Sequence, residues 1–541
     1  GVQLVLEPIR DYPSGNLTSH VVGYMGHIPE SQLPAYEERG YQQNDQVGLT
    51  ALELSFENEM RGTPSQQTIE VDVNGRKVRT VGEPKAAVPG YNLVLSLDLH
   101  LQDVATKALQ AAFDKSSGFT KANQGTVIAL DPRTGKVLAL VSLPSYDNNL
   151  FAKGITGAAY KALLDDPLLP MYNQAIAGMY PPGSTFKIIM ASGGLQEGVI
   201  NANTKLGDGF DGSNDGIIWV PNDFAPWDRS LAQPFYSWTH KYGYGHGLNN
   251  VRHALSVSDD IFFYELGGGY RDIFTGLGSK RIGEYAKAFG LGAPSAIELL
   301  GEANGLVPTS KWKRLNYAES WLTGDTYNMS IGQGYVLATP LQMANATAAI
   351  ANRGTLYQPQ LVDHLTDDTG EVVRPFEPKV LRTVPVDPKN LDVVREGMYG
   401  AINFPYGTAT RVKVPGVLLA GKTGTAEYFR DWNKDGKPDR DDHDNLPTHA
   451  WFTAFGPYVD PEIVVTVFIA NGGEGSMVAA PVANEVLLAY FAEKNGEGQA
   501  PASSKDSSLP KADQPAPTAT PAAGETPVQA APTPTATGAT Q

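Results

Sequence analysis

A serine three residues ahead of a lysine, at the start of an apolar helix, is the arrangement in this chain best suited to acyl transfer. It stands at Ser184 and Lys187 within Gly178-Met179-Tyr180-Pro181-Pro182-Gly183-Ser184-Thr185-Phe186-Lys187. Two prolines fix φ and Gly183 permits a tight bend, so the segment reads as a rigid approach to a first helical turn. There the backbone N–H groups are unpaired and the helix dipole is positive, which suits an oxygen nucleophile. Lys187 falls one turn later on the same face, within reach of the Ser184 hydroxyl. Ile188, Ile189 and Met190 continue the apolar run and predict a buried amine, and burial disfavours the charged form of an amine. The spacing recurs at Ser310-Lys311-Trp312-Lys313, in a polar connector, and at Ser508-Leu509-Pro510-Lys511, in a low-complexity tail. Context, not spacing, therefore separates Ser184 from these copies, and an ordinary N-cap serine is the competing interpretation.

Two further groups have residue types that fit the same chemistry. Ser258-Asp259-Asp260 interrupts a helical pattern running from Leu248 to Tyr264, where short polar side chains either project into a cleft or simply cap a helix. Lys422-Thr423-Gly424-Thr425 lies on a strand beginning at Val417, where Gly424 would let a ligand backbone approach and Lys422 would supply positive charge. The plain alternative is a strand end. A third group, from Asp431 to Asp442, matches a calcium loop, with oxygen ligands at Asp431, Asn433, Asp435, Asp439 and Asp442 and a turn glycine at Gly436. Asp442 reaches less far than the usual Glu, and Lys434, Lys437 and Arg440 would partly neutralise a simple acidic hairpin tip. His246 and His449 have no carboxylate at a motif spacing and read as structural. Trp219, Phe224, Trp227, Trp238 and Trp451 form no repeat and read as core and loop packing.

These groups need a scaffold, and 541 residues exceed one compact core. Residues 1–90 read as a β-rich module, with Thr68 to Val73 running into the hairpin turn Asn74-Gly75. Residues 91–495 alternate as strands, helices and strands again. Tyr91 to Asp98 is a strand, Leu99 to Phe113 a helix, and Gly125 to Asp131 with Gly135 to Ser142 a hairpin. Thr339-Pro340 opens another helix; strands return at Val417 to Glu427, Ala450 to Phe455 and Glu462 to Ala470, and a helix over Val482 to Glu493 closes the domain. That order predicts an α+β fold, an antiparallel sheet with helices on both sides. Residues 496–541 are Pro, Ala, Thr and Ser with few large apolar side chains and read as a disordered tail. A formal charge of −16 argues against nucleic acid or an anionic membrane surface as the main partner. The chain has no cysteine and no apolar run of membrane-spanning length, and it begins at Gly1, as a processed or truncated product would.

Taken together, Ser-x-x-Lys, Ser-x-Asp and Lys-Thr-Gly in this order resemble the signature of penicillin-binding proteins and serine β-lactamases. The chain resembles a class B penicillin-binding protein over residues 8–493, and within that family the elongation-type enzymes called PBP2. Arg10-Asp11-Tyr12-Pro13-Ser14-Gly15, His20 and Gly23-Tyr24 resemble the amino-terminal pedestal module. Gly245-His246-Gly247, Ser330-Ile331-Gly332-Gln333-Gly334 and His449-Ala450-Trp451-Phe452 resemble catalytic-domain landmarks. The resemblance implies a peptidoglycan D,D-transpeptidase that works through a Ser184 acyl-enzyme and is inhibited by β-lactams. Lys187 would be the base, with Lys422 nearby, and Ser258 would relay the proton. The N–H groups of Ser184 and Thr425 would form the oxyanion hole, while Lys422, Thr423 and Thr425, with Asp260 and Gly424 beside them, would bind substrate. Asp260 stands where many relatives have Asn. The resemblance also implies that no cofactor is required and that the protein works at the extracytoplasmic face of the membrane through an anchor missing from this chain. Its partners there would be a membrane glycan polymerase and cell-wall elongation proteins. A β-lactamase or β-lactam sensor on the same fold, or a non-catalytic scaffold, are the alternatives; a pedestal and long tail argue against the first and a complete motif set against the second.

Overall fold

An almost unbroken apolar run such as Gly125–Leu130 leaves a strand no solvent face, so it belongs inside a sheet covered on both sides. It occupies that position in the computed structural model of the protein, which describes residues 9–208, 213–431, 436–442, 444–496 and 509–510. β1 (Gly125–Leu130) and β2 (Val137–Leu143) form the expected hairpin. β3 (Ala420–Glu427), β4 (Thr448–Gly456) and β5 (Ile463–Ile469) complete an antiparallel five-stranded sheet in the order β3-β4-β5-β1-β2. Period-two alternation divides the side chains between two cores. Ile128, Leu130, Val464 and Phe468 enter one; Val127, Ala129, Val465 and Val467 enter the other.

Helix α1 (Leu99–Lys115) covers the second face with Leu101, Ala105, Leu109 and Phe113, residues that share a stripe at helical spacing. The first face carries α2 (Lys187–Gln196), α3 (Val251–Val257), α4 (Asp260–Gly268), α5 (Pro340–Ala351) and α6 (Pro388–Asn403). The terminal helix α7 (Ala479–Gly496) returns to the α1 side through Ala483, Val486 and Leu487. The expected tail, 496–541, falls mostly outside the described residues; within it Leu509 rests against the main core.

The first ninety residues mix strands with short helices. The predicted hairpin is present as Gln66–Val71 paired with Lys77–Lys85, and Asp72 closes its turn by accepting from the N–H groups of Asn74 and Arg76 at 2.8 and 2.9 Å. The helical turn Ala51–Ser55 supplies Glu53, which takes the Arg10 guanidinium through two bonds of 2.7 and 3.0 Å. This module is stitched to the sheet domain by backbone-directed amides. Asn149 exchanges two 2.9 Å bonds with the Tyr12 backbone, and Asn148 Nδ2 donates to Gly23 O at 2.9 Å.

Helix α5 begins where Thr339 and Pro340 predict. Thr339 Oγ1 accepts from Gln342 N at 3.1 Å and Gln342 Oε1 accepts from Thr339 N at 3.0 Å, a reciprocal cap in a fully buried setting. Thr339→Ala removes one half of it and is expected to cost about 1 kcal/mol, read as a lower midpoint in urea at unchanged slope.

Candidate active site

The approach to Ser184 is rigid because it is paired on two sides. Tyr180 and Ala338 exchange backbone bonds of 3.0 and 2.9 Å, and Gly183 N donates to Gly332 O at 2.9 Å. The sequence predicts an α-helix beginning at Ser184; the structure places a 3₁₀ turn at Gly183–Phe186 and begins the α-helix at Lys187. The prolines impose this tighter entry, and Thr185 Oγ1 reinforces it by donating to Pro182 O at 2.6 Å. From Pro182 to Leu195 every residue is buried except Ser184, which is partly open to solvent. A hydroxyl is thus presented alone at the mouth of an otherwise closed element.

Lys187 is fully buried, as its apolar neighbours predict, and its Nζ has three oxygen partners. It donates to Asp260 Oδ1 at 2.6 Å, to Ser258 O at 2.9 Å and to Ser258 Oγ at 3.4 Å. Ser258 reaches it because the helical pattern breaks there: its backbone is left-handed, φ 58°, between α3 and α4. A left-handed non-glycine residue between two helices is strained, and strain of that kind gathers at functional positions. The expectation that Asp260 faces substrate is not what the geometry holds. Its second oxygen accepts from Trp238 N at 2.9 Å, so both oxygens are engaged inside the protein. Asp259 is turned inward, capping α4 through Ile261 N at 3.0 Å and accepting from Asn249 Nδ2 at 2.7 Å. Burial pushes its carboxyl up to about 6, against the Asn249 hydrogen bond and the Lys187 charge, which pull it down.

β3 brings Lys422 to the same place. It is the edge strand of the sheet, so one row of its backbone groups is unpaired. A Cβ built on Gly183 would stand 2.6 Å from Thr425 O, so that carbonyl faces the Ser184 turn and not β4. In an antiparallel ladder the N–H and C=O of one residue point to the same edge, which turns the Thr425 N–H toward Ser184 as well. Gly424 has a different use from the one expected of it. The space its side chain would fill is taken by Thr185, Trp451 and Pro182 O, all within 3.2 Å, so the glycine lets β3 close on the Ser184 turn. Lys422 is fully buried; burial first, then the nearby Lys187, push its amine well below the usual lysine range, and Asp260 pulls the other way. Thr423 Oγ1 lies 2.9 Å from Thr408 Oγ1, and Thr425 Oγ1 accepts from Gly475 N at 3.4 Å.

Several supports escape sequence inspection. Asp208 is buried and accepts from Gly216 N and Gly247 N, both at 2.8 Å, closing the base of the long excursion between them. Asn249 and Thr408 hold Asp259 and Thr423, and Lys241 pairs with Glu474 at 3.1 Å, linking that excursion to the segment beside Thr425. None has a motif spacing: they stand in turns and short segments that packing brings beside the three motifs. Lys313 of the second Ser-x-x-Lys copy does not lie in a polar connector. Thr309 caps a helix over Ser310–Tyr317, and the buried Lys313 amine is held by Asp325 at 2.7 Å and Glu319 at 3.2 Å. The third copy runs past the described residues. Partial burial lowers His246 to about 4 and burial lowers His449 to about 3, and His449 stacks on Tyr428 at 4.1 Å. Trp451 is core, but Trp219, Phe224, Trp227 and Trp238 are exposed, contrary to the packing expected of them.

In the acidic loop, Gly436 adopts the turn that position six requires, φ 79°, and its N–H donates to Asp431 Oδ2 at 2.9 Å. Asp439 is committed to the Arg430 guanidinium at 2.9 Å, and Asp442 is exposed. Asn433 and Asp435 lie outside the described residues. Among the described residues no three carboxylates or histidines gather as a metal site.

Two measurements test this geometry. Gly183→Ala places a side chain at φ 54° against Thr425 O and should force β3 away from Ser184, lowering the rate of acylation by a fluorescent penicillin by ~10²-fold. For Asp259, a folded value near 6 above an ordinary 3.8 means that the folded state binds the proton more tightly. Its contribution is complete below about pH 4 and is lost as pH rises through about 6, on the order of 3 kcal/mol. Asp259→Asn should remove that fall, so the mutant's urea stability should rise more steeply than the parent's between pH 4 and 6; parallel curves would refute it.

Comparison with known proteins gives the family independently of this constellation. Residues 125–488 match the penicillin binding protein transpeptidase domain, and residues 1–95 match the penicillin-binding protein dimerisation domain. The peptidoglycan D,D-transpeptidase MrdA of Haemophilus influenzae is 33% identical over 495 residues, 90% of this chain and 70% of that protein. MrdA of Escherichia coli K12 is 34% identical over 487 residues, 88% of this chain and 70% of that protein. The crystal structure of Pseudomonas aeruginosa PBP2 in complex with WCK 5153 superposes with a TM-score of 0.73 at 33% identity, covering 91% of this chain and 93% of that one. A complex between PBP2 and MreC from Helicobacter pylori gives 0.71 at 27% identity, covering 90% and 79%. With the serine turn, the buried lysine, the broken helix and the edge strand assembled as this fold requires, the chain belongs to the penicillin-binding protein transpeptidase family, and within it resembles PBP2.

Proposed function

We propose that this protein is a peptidoglycan D,D-transpeptidase that cross-links stem peptides through a Ser184 acyl-enzyme. The observation that carries this is the meeting of three sequence motifs at one place: Ser184 exposed on a buried turn, Lys187 bonded to Ser258 and Asp260, and the edge of β3 closed on Gly183. Ser184 Oγ attacks the carbonyl between two D-alanines and gives up its proton to the Lys187 amine one turn away, which can take it while Asp260 holds the proton that the two share at rest. The Ser258 hydroxyl, 3.4 Å from Lys187 Nζ, passes that proton to the departing D-alanine nitrogen as the peptide bond breaks. The N–H groups of Ser184 and Thr425 hold the oxyanion in both halves of the reaction. The amine of a second stem peptide then attacks the ester and a new amide forms as the ester C–O bond breaks; the proton that this amine sheds passes back through Ser258 and Lys187 to the departing Ser184 oxygen.

Lys422, Thr423 and Thr425 receive the substrate's terminal carboxylate. A buried amine depressed by burial and by Lys187 gains the counter-charge it lacks when that carboxylate arrives. Asp260 acts differently from a substrate donor: with one oxygen on Lys187 and the other on Trp238 N, it orients the base. The reaction balances with no cofactor, and we give the Asp431 to Asp442 loop no role in it.

Relatives that match both the pedestal and the catalytic region are named D,D-transpeptidases, which favours cross-linking over β-lactam hydrolysis or a passive scaffold. The solved relatives include PBP2 with MreC and a synthase complex coordinating polymerization and crosslinking. We therefore place this chain beside a glycan polymerase and elongation proteins at the outer face of the membrane, where its polymer substrate is. No helix among the described residues is long and apolar enough to cross a membrane.

Mass spectrometry of the penicillin-treated protein should place one long-lived adduct on the peptide containing Ser184. Ser184→Ala should abolish it, and Lys187→Ala should nearly eliminate acylation while leaving non-covalent binding; Lys422→Ala should weaken both. An adduct on another peptide, or normal acylation of Lys187→Ala, would overturn these assignments.

A further inference from the structure

The excursion between Asp208 and Asn249 has an outer face that the transpeptidase chemistry does not use. Its centre is a hairpin, Ile217–Val220 paired with Gln233–Tyr236, whose register sets Ile218 opposite Phe235 and Trp219 opposite Pro234. Period-two alternation turns Ile218, Val220 and Phe235 inward, onto Tyr264 and Tyr327, and Trp219 outward. The tip carries Phe224 and Trp227, 75% and 81% exposed, and the segment beyond the second strand carries Trp238, Tyr242 and Tyr244. Trp238 and Tyr242 meet at 6.2 Å and Tyr242 and Tyr244 at 6.5 Å.

Large rings left this exposed in a soluble domain mark an interaction surface, and here they are also held still. Asp223 at the tip accepts from both the N–H and the hydroxyl of Thr323. Tyr264 donates to Tyr236 O at 3.3 Å, and Asp208 closes the base. The excursion also touches the reaction centre through Trp238. Trp238 donates its backbone N–H to Asp260, the carboxylate that holds Lys187, and its indole N–H to Val257 O at 3.2 Å.

We propose that this face is a platform for the glycan strand that bears the stem peptides, its rings stacking on the C–H faces of successive pyranose units. The assignment rests on the substrate named under Proposed function: a stem peptide reaching Ser184 hangs from a strand, and the strand must pass within a short peptide's length of Asp260. The composition fits a saccharide better than the other occupants. The electron-rich faces of Trp and Tyr suit polarised C–H bonds, and Asn222, Ser230 and Gln233, part-exposed or exposed on the same excursion, can meet hydroxyls. Residues 213–245 carry three carboxylates and two cations, with no basic run to draw an anionic lipid surface. Among the described exposed large apolar residues of the excursion, Leu231 is the one aliphatic, unlike a protein-docking face rich in Leu and Met.

The test uses the full chain and peptide-free glycan strands, made by amidase digestion of cell-wall sacculi, in a sedimentation assay. Trp219→Ala with Trp227→Ala should weaken strand binding by at least about tenfold, while Tyr replacements at both positions restore most of it. Equal binding by the parent and the alanine variant, or no binding by either, overturns the platform. Acylation by fluorescent penicillin, run on every protein, reports the Ser184 centre separately. A parent that binds strands in a ring-dependent way but fails to acylate would strike the serine chemistry and leave the platform standing.

Discussion

The buried ion pair between Lys187 and Asp260 is the contact on which the site depends. It ties α2, which follows the serine turn, to α4, which begins immediately after the break at Ser258. Two charges removed from water require close geometry and further hydrogen bonds, and both partners have them: Lys187 reaches Ser258 twice, and Asp260 takes the Trp238 N–H. Loss of either partner would leave an unpaired charge inside the first core. The same contact sets the position of the Ser258 hydroxyl, because the serine carbonyl is a ligand of the same amine.

A second lysine beside this pair creates an imbalance of charge. Lys422 is buried near Lys187 with Asp260 as the nearest compensating carboxylate, and its amine is depressed accordingly. The resting site therefore sets one carboxylate against two amines and lacks a second. An incoming carboxylate supplies it, which gives a strongly acidic protein a local reason to bind an acidic peptide end.

Close backbone approach is the other condition. The serine turn, the edge of β3 and the 330–334 segment touch through Gly183, Gly424 and Gly332; a Cβ at Gly332 would stand 2.3 Å from Gly183 O. Glycines here exclude side chains so that main-chain groups of separate elements share one small space. Around this rigid centre the excursion from Asp208 to Asn249 adds a wall whose inner face is core and whose outer face is aromatic.

Local chemistry was legible in the sequence wherever it depended on neighbours along the chain. The Pro-Pro-Gly approach, the apolar run that buries Lys187, the Thr339 cap, the Asn74-Gly75 turn and the sheet hairpins are all consequences of φ restriction, period and capping, which act over a few residues. The order of the three motifs was legible too, and it identified the family. Tertiary structure alone decided what each group faces. Asp260 turned toward Lys187 because α2 and α4 cross there, and Gly424 admitted Thr185 because β3 packs on the serine turn. Lys313 met Asp325 and Glu319, so a spacing identical to that of Ser184 became a structural ion pair. The exposed tryptophans defeated the sequence for the same reason: an indole looks like core until a hairpin's register sends it outward, and register is a property of two strands together.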